Sequence, residues 1–227
     1  MPPVVDESNP MKSSLVTIML PALFLVPVWS QSPTGRAHDQ PQHQRAASPW
    51  SYSLSVTGYL VPNDVSYASP AFTADRKWLH LEGRYNYEDL KTGSLWAGYN
   101  LNCGEKVSLS VTPMLGAVFG NSNGIAPGYE FLLAYRKFEL SSEGEYVYSP
   151  RDSHQSFFYS WDEFVYSPTG WFHAGLVTQH TRAYKSGLDE QRGFSVGVAH
   201  KETDFTVYTF NAGWADPIIA LTLTRNF

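Results

Sequence analysis

Cysteine is almost missing from this chain: Cys103 stands alone among 227 residues. That excludes an internal disulfide framework and a cysteine-based zinc site, and leaves Cys103 as a small residue near a turn. Charge is scarce too, with Asp, Glu, Lys and Arg at 16% of the sequence against about a quarter in ordinary soluble domains. The 16 basic side chains are outnumbered by 21 acidic ones, so the basic footprint of a nucleic-acid-binding protein is absent. Long apolar runs are missing as well. The single stretch of that kind, "SSLVTIMLPALFLVPVW" (13–29), is broken by Pro21 and Pro27 and is too short to cross a bilayer comfortably as a helix. What the chain has instead is aromatic residues, at 15%, with 14 Tyr, 13 Phe and 7 Trp.

The ends of that apolar stretch give it a meaning. Lys12 precedes it and the small Ser30 follows, the layout of a secretory signal over residues 1–30. Asp6 and Glu7 do not suit a signal, which points to Met11 as the true start. Residues 31–49, rich in Pro, Gln, Ser and His, read as a flexible linker. The folded part is then expected over 50–227.

Within 50–227 no convincing helical period occurs; two-residue alternation recurs instead. "WLHLEGRYNYE" (78–88) puts Leu79, Leu81, Tyr85 and Tyr87 on one face and His80, Glu82, Arg84 and Glu88 on the other. "WSYSLSVTGYL" (50–60), "SLWAGYNLN" (94–102), "VSLSVTPMLGAVF" (107–119), "YEFLLAYR" (129–136) and "FELSSEGEYVY" (138–148) repeat the split. Two runs, 156–166 and 204–210, carry large residues in both registers, and 67–75 is short and contains Pro70. Pro113, inside a strand, removes a ladder donor and predicts a bulge or a strand boundary there.

The links between these segments alternate in length. "DRK", "NCGEK", "RK", "SPTG" and "HKET" are short; 61–66, 87–94, 119–128, 148–156, 182–192 and 211–217 are longer. About twelve strands result, an even number, with both ends on the short-turn side. That predicts an all-β fold, a closed antiparallel up-and-down barrel of the transmembrane kind. In hydrocarbon every backbone N–H and C=O must be paired internally, which closure achieves. Aliphatic and aromatic stripes would face lipid, with Tyr85, Tyr87, Tyr146 and Tyr148 near an aromatic girdle, and charged stripes would line the lumen.

The last strand, "PIIALTLTRNF", ends on Phe227 with Leu223, Leu221 and Ile219 in phase. It resembles the C-terminal strand of bacterial outer-membrane β-barrel proteins. The resemblance implies an outer-membrane location, contact with outer-membrane lipids, and recognition of Phe227, Leu223 and Leu221 by the barrel-assembly machinery. No subfamily follows from it, and no cofactor.

Candidate chemistry begins with the lumen. Glu82, Arg84, Arg136, Glu139, Glu143 and Glu145, with His80, Glu88 and Glu130, would form either a charged plug or the lining of a narrow channel for small polar solutes. Next is "HQS", His154 to Ser156. Its H-x-S spacing is similar to that of outer-membrane phospholipase A, a twelve-stranded family whose histidine activates the serine. Here Phe157 and Phe158 replace the family's Asn-Gly, and Asp162 is only a loose substitute for its asparagine. The remaining histidines, at 38, 43, 173, 180 and 200, show no metal-ligand spacing on one element, so no metal site is predicted. A loop with Arg182, Lys185 and Arg192, next to His180, could meet lipid phosphates at the rim. The leading expectation is a non-enzymatic barrel. A lipid hydrolase using Ser156 and His154 is the first alternative, and a soluble secreted β-barrel or sandwich binder the second.

Overall fold

The computed structural model describes residues 50–62, 64–183, 187–213 and 216–227. The proposed signal and linker, and Lys185, lie outside these. The described chain forms β1 (Ser51–Leu60), β2 (Tyr67–Arg76), β3 (Leu79–Tyr85), β4 (Thr92–Tyr99), β5 (Leu101–Cys103), β6 (Val107–Gly120), β7 (Gly124–Tyr135), β8 (Phe138–Val147), β9 (Phe157–Thr169), β10 (Phe172–Ala183), β11 (Asp189–His200), β12 (Thr203–Phe210) and β13 (Ile218–Asn226). Both β4 and β5 pair with β6, so they are two parts of one barrel strand. Twelve strands therefore run up and down, and β1 pairs with β13 to close the sheet on itself. The expected fold is present, including the doubtful strand at β2.

Closure is sealed at the chain end. Leu223 pairs with Val56 and Leu221 with Gly58, and the Phe227 amide donates to the Tyr52 carbonyl at 2.9 Å. The short turns are two residues each at 77–78, 136–137, 170–171 and 201–202, and three at 104–106. Lys77, Arg136 and Lys201 open three of them with φ of 55°, 57° and 54°. Two-residue hairpin turns require this left-handed conformation, which these residues adopt at a steric cost that glycine would avoid.

Most of the outer surface is apolar. Leu54, Val56, Phe72, Leu95, Leu115, Leu176, Phe194, Val196 and Leu223 are all exposed there. Between them, at alternate positions, Ser55, Thr57, Thr73, Glu82, Ser94, Thr112, Ser195, Thr206 and Thr222 are buried inside. Polar inside and apolar outside is the reverse of a soluble binder, so that alternative fails on geometry. Aromatic side chains ring the short-turn rim: Trp50 and Tyr52 at 6.3 Å, Trp78 and Tyr99 at 5.4 Å, Phe138 and Tyr166 at 5.0 Å between centroids.

Four expectations need correction. Pro113 causes no bulge: β6 runs through it in one register with both neighbours, and the break falls on the opposite strand at Asn100, whose amide turns to the Trp78 carbonyl. The expected ten-residue link at 119–128 is only 121–123, the rest being strand. Tyr87 is not on the girdle but 2% exposed inside. Asn86, at φ 55°, ends the alternation, and its side chain accepts from the Lys91 amide at 2.7 Å to shape the loop. Arg136 is an exposed turn residue over the Tyr135 ring, not a lumen group.

Candidate functional site: the lumen and a polar patch outside it

Arg84 holds the centre of the lumen. It points inward from β3, one position-pair beyond Glu82, because residues two apart share a strand face. Its Nε and Nη2 both donate to the Glu82 carboxylate, Nη2 at 2.8 Å, and Nη1 crosses to Glu145 Oε2 on β8 at 3.0 Å. Three barrel strands separate β3 from β8 in the sheet order, so this ion pair spans the bore. The guanidinium also stacks on Tyr87 and Trp96, 4.1 and 4.7 Å from their ring centroids. A planar cation between two carboxylates and two rings is a site that Lys could not reproduce.

The surrounding groups complete a plug. Tyr87 OH donates to Glu143 Oε1 at 2.7 Å, and Trp96 Nε1 donates to Ser94 Oγ at 2.9 Å. Trp96 lies flat over Gly116, where a methyl group would overlap its indole. Beyond Tyr87, the side chains of Tyr59, Phe157, Tyr159, Trp161, Tyr208 and Phe210 fill the remaining bore as one aromatic cluster. Glu163, which sequence reasoning missed, accepts from Ser195 Oγ at 2.7 Å and Tyr208 OH at 3.3 Å. Free space beside Glu130, Thr112 and Glu143 amounts to about 30 Å³, room for a water or two. Among the described residues, side chains fill the bore around Arg84 and the aromatic cluster.

Glu82, Arg84, Glu143 and Glu145 are thus brought together. Glu139 faces inward, half-buried, near the short-turn rim and apart from the Arg84 cluster. Acid outweighs base in the bore: Glu82, Glu88, Glu130, Glu143 and Glu145 surround one guanidinium.

The H-x-S pair is not on a strand. His154 sits in a 3-10 turn, Ser153–Gln155, before β9 begins. The Ser156 hydroxyl is buried and accepts from the Ser149 amide at 3.0 Å. A different polar group appears on the outer face of β8 to β11, toward the long-loop rim. Ser142 Oγ donates to Asp162 Oδ1 at 2.6 Å. His180 Nδ1 lies 3.4 Å from Ser160 Oγ and 3.5 Å from Asp162 Oδ2, while its Nε2 lies 3.5 Å from Glu190 Oε1. Arg192 donates to Glu190 at 2.8 Å, so the expected basic rim is partly neutralised.

No family model and no curated protein matches the chain. Among solved structures it is similar to one described as KdgM porin, with a TM-score of 0.55, 9% identity, and coverage of 77% of this chain and 99% of that one. Weaker likenesses are OccK5 (OpdH) of Pseudomonas aeruginosa, at a TM-score of 0.42 and 7% identity over 81% of this chain and 68% of that one, and opdK of the same organism, at 0.42 and 10% over 73% and 58%. At such identities the likeness is one of fold, and the fold shared with KdgM porin is the closed antiparallel barrel that the strand ladders independently describe.

Proposed function

We propose that this protein is an integral barrel of the bacterial outer membrane with a plugged, narrow lumen for small polar solutes. The observation that carries the reading is the inversion of polarity: apolar residues cover most of the outside, and the largest group of ionisable ones, around Arg84, is enclosed. Only a hydrocarbon surrounding makes that arrangement stable. The fold likeness to a porin supports it. The Phe227-ending strand, with Leu223 and Leu221 facing outward in phase, is the surface offered to the barrel-assembly machinery, and outer-membrane lipids cover the rest. Conduction requires the Arg84 cluster to yield, because Arg84, Tyr87 and Trp96 occupy the bore. In planar bilayers the unchanged barrel should show closed or rare small openings. Arg84→Ala should raise open-state occupancy at least several-fold; equal silence in both would reject the channel.

A second reading rests on the outer patch. Ser160, His180 and Glu190 lie in a line in which a histidine could take the serine proton while a carboxylate orients the ring, the arrangement a nucleophilic serine needs. It faces the bilayer, where an ester-bearing lipid would be the substrate. This passes the hydrolase alternative from His154 and Ser156 to a different pair. Fatty-acid release from phospholipid vesicles, abolished by Ser160→Ala and kept by Ser156→Ala, would support it; no release from the unchanged protein would end it.

A further inference from the structure

We propose that His80, Glu82 and Glu130 form a binding site for a divalent transition-metal ion inside the barrel. The three side chains come from two strands, β3 and β7, and one ligand atom of each lies within 4.8 Å of the others. His80 is 3% exposed and Glu82 4%. His80 Nε2 points between the carboxylates, 3.7 Å from Glu82 Oε2 and 3.9 Å from Glu130 Oε1.

At these distances the contacts are ion pairs if His80 carries a second proton, and they are not hydrogen bonds. A hydrogen bond from an imidazole N–H to a carboxylate needs about 2.7–3.2 Å. Both His80 Nε2 and Glu130 Oε1 are buried without a hydrogen-bond partner. If Nε2 carries no proton, three lone pairs face one another in a closed bore. An ion bound at about 2.1 Å to each atom would place the ligands about 3–3.4 Å apart, so binding draws the two carboxylates in toward His80 Nε2 and toward each other by roughly 0.3 Å to somewhat over 1 Å.

The surroundings prepare the histidine for that task. Asp75 Oδ1 lies 2.9 Å from His80 Nδ1, so in the tautomer with its proton on Nδ1 the Nε2 lone pair faces the carboxylates. Asn100 Nδ2 donates to the same Asp75 oxygen at 2.7 Å, and Thr112 Oγ1 donates to Asn100 at 2.7 Å. A carboxylate behind a ligating histidine fixes both the tautomer and the ring orientation. Glu82 is already held by Arg84, but a carboxylate oxygen has a second lone pair to offer. The free space beside Glu130 has room for water next to that carboxylate. One imidazole nitrogen with two carboxylate oxygens suits Zn2+ or Mn2+ rather than a soft ion. A bound dication would also offset the excess of acid around the single guanidinium.

Sequence alone hid this site because Glu130 lies 48 positions beyond Glu82 and on a non-adjacent strand. The legible part was His80-x-Glu82, two ligands on one strand face.

The test uses the full chain refolded in detergent micelles, stripped with a chelator and titrated with Zn2+, with bound metal measured after gel filtration. Co2+ serves as a second probe through its visible absorption. The unchanged protein should retain about one ion more per chain than either His80→Ala or Glu130→Gln, with the Co2+ band lost in both. Heat-modifiable mobility verifies that each variant is folded; Glu130→Gln keeps the shape if His80→Ala does not fold. Asp75→Asn should weaken binding about 10–100-fold. Exposed His200→Ala should change nothing. The same stoichiometry and affinity in Glu130→Gln as in the unchanged protein, or no metal retained by the unchanged protein, would overturn the site whether or not the barrel conducts.

Discussion

At the scale of single residues, Arg84 decides the state of the lumen. Removing one member of a buried ion pair leaves the other charged and unpaired, at a cost of about 3–5 kcal/mol, whereas removing all members can be nearly neutral. Arg84→Met should therefore lower the unfolding free energy in micelles by about that amount. The triple change Arg84→Met, Glu82→Gln, Glu145→Gln should recover most of the loss. Denaturant titration followed by tryptophan fluorescence measures both, Trp96 being a direct neighbour of the site. If the triple variant is no more stable than the single one, the carboxylates are not the source of the cost. The four lumen residues Glu82, Arg84, Glu143 and Glu145 were legible in sequence because each lies on the charged stripe of a clean two-residue period. Arg136 was misread because a hairpin turn interrupts that period. Tyr87 was misread for the same reason, one residue past the positive φ of Asn86. Glu163 was missed because Phe157 to Tyr166 is bulky in both registers, and only burial shows that Tyr159, Trp161 and Glu163 form the inner set.

At the scale of strands, register is set by which stripe meets hydrocarbon, and a one-residue slip would expose every lumen charge of a strand. Leu115 tests this on β6. It faces outward, 58% exposed, between inward Met114 and Gly116. Leu115→Arg should destabilise the barrel by about 2–4 kcal/mol in a bilayer if its site is near the midplane. It should do much less in a small flexible micelle, which can deform around the guanidinium. A comparison of unfolding midpoints in vesicles and in micelles reads the difference; equal losses in both would place Leu115 away from lipid. Strand existence and pairing order were legible because period-2 alternation and short turns both specify an antiparallel meander. Loop limits were less so: Gly124 to Gly128 look like turn residues but continue β7, since closure supplies backbone partners that override local preference.

At the scale of the whole barrel, the apolar band is not of even height. Around β1 to β6 the outward positions between the rims hold aliphatic and aromatic residues with a few Gly and Pro and no charge, as Tyr52, Leu54, Val56 and Leu60 show along β1. Around β8 to β11 the outward positions Ser142, Ser160, Asp162, His180 and Glu190 bring polar groups down from the long-loop rim. Ionisable groups pulled into hydrocarbon are costly and mark function by default. A bilayer can lower that cost by thinning on this side, with a penalty of fractions of a kcal/mol per ångström of mismatch. The unchanged barrel should therefore refold to a higher fraction in vesicles of short-chain lipid than of long-chain lipid, as scored by heat-modifiable mobility. The double change Asp162→Leu, His180→Leu extends the apolar band over the patch. It should narrow the gap between the two lipids by raising the long-chain yield. An unaltered ratio would mean that the patch sits in the headgroup layer, where water and phosphate already solvate it, and that the hydrocarbon begins below Ser142.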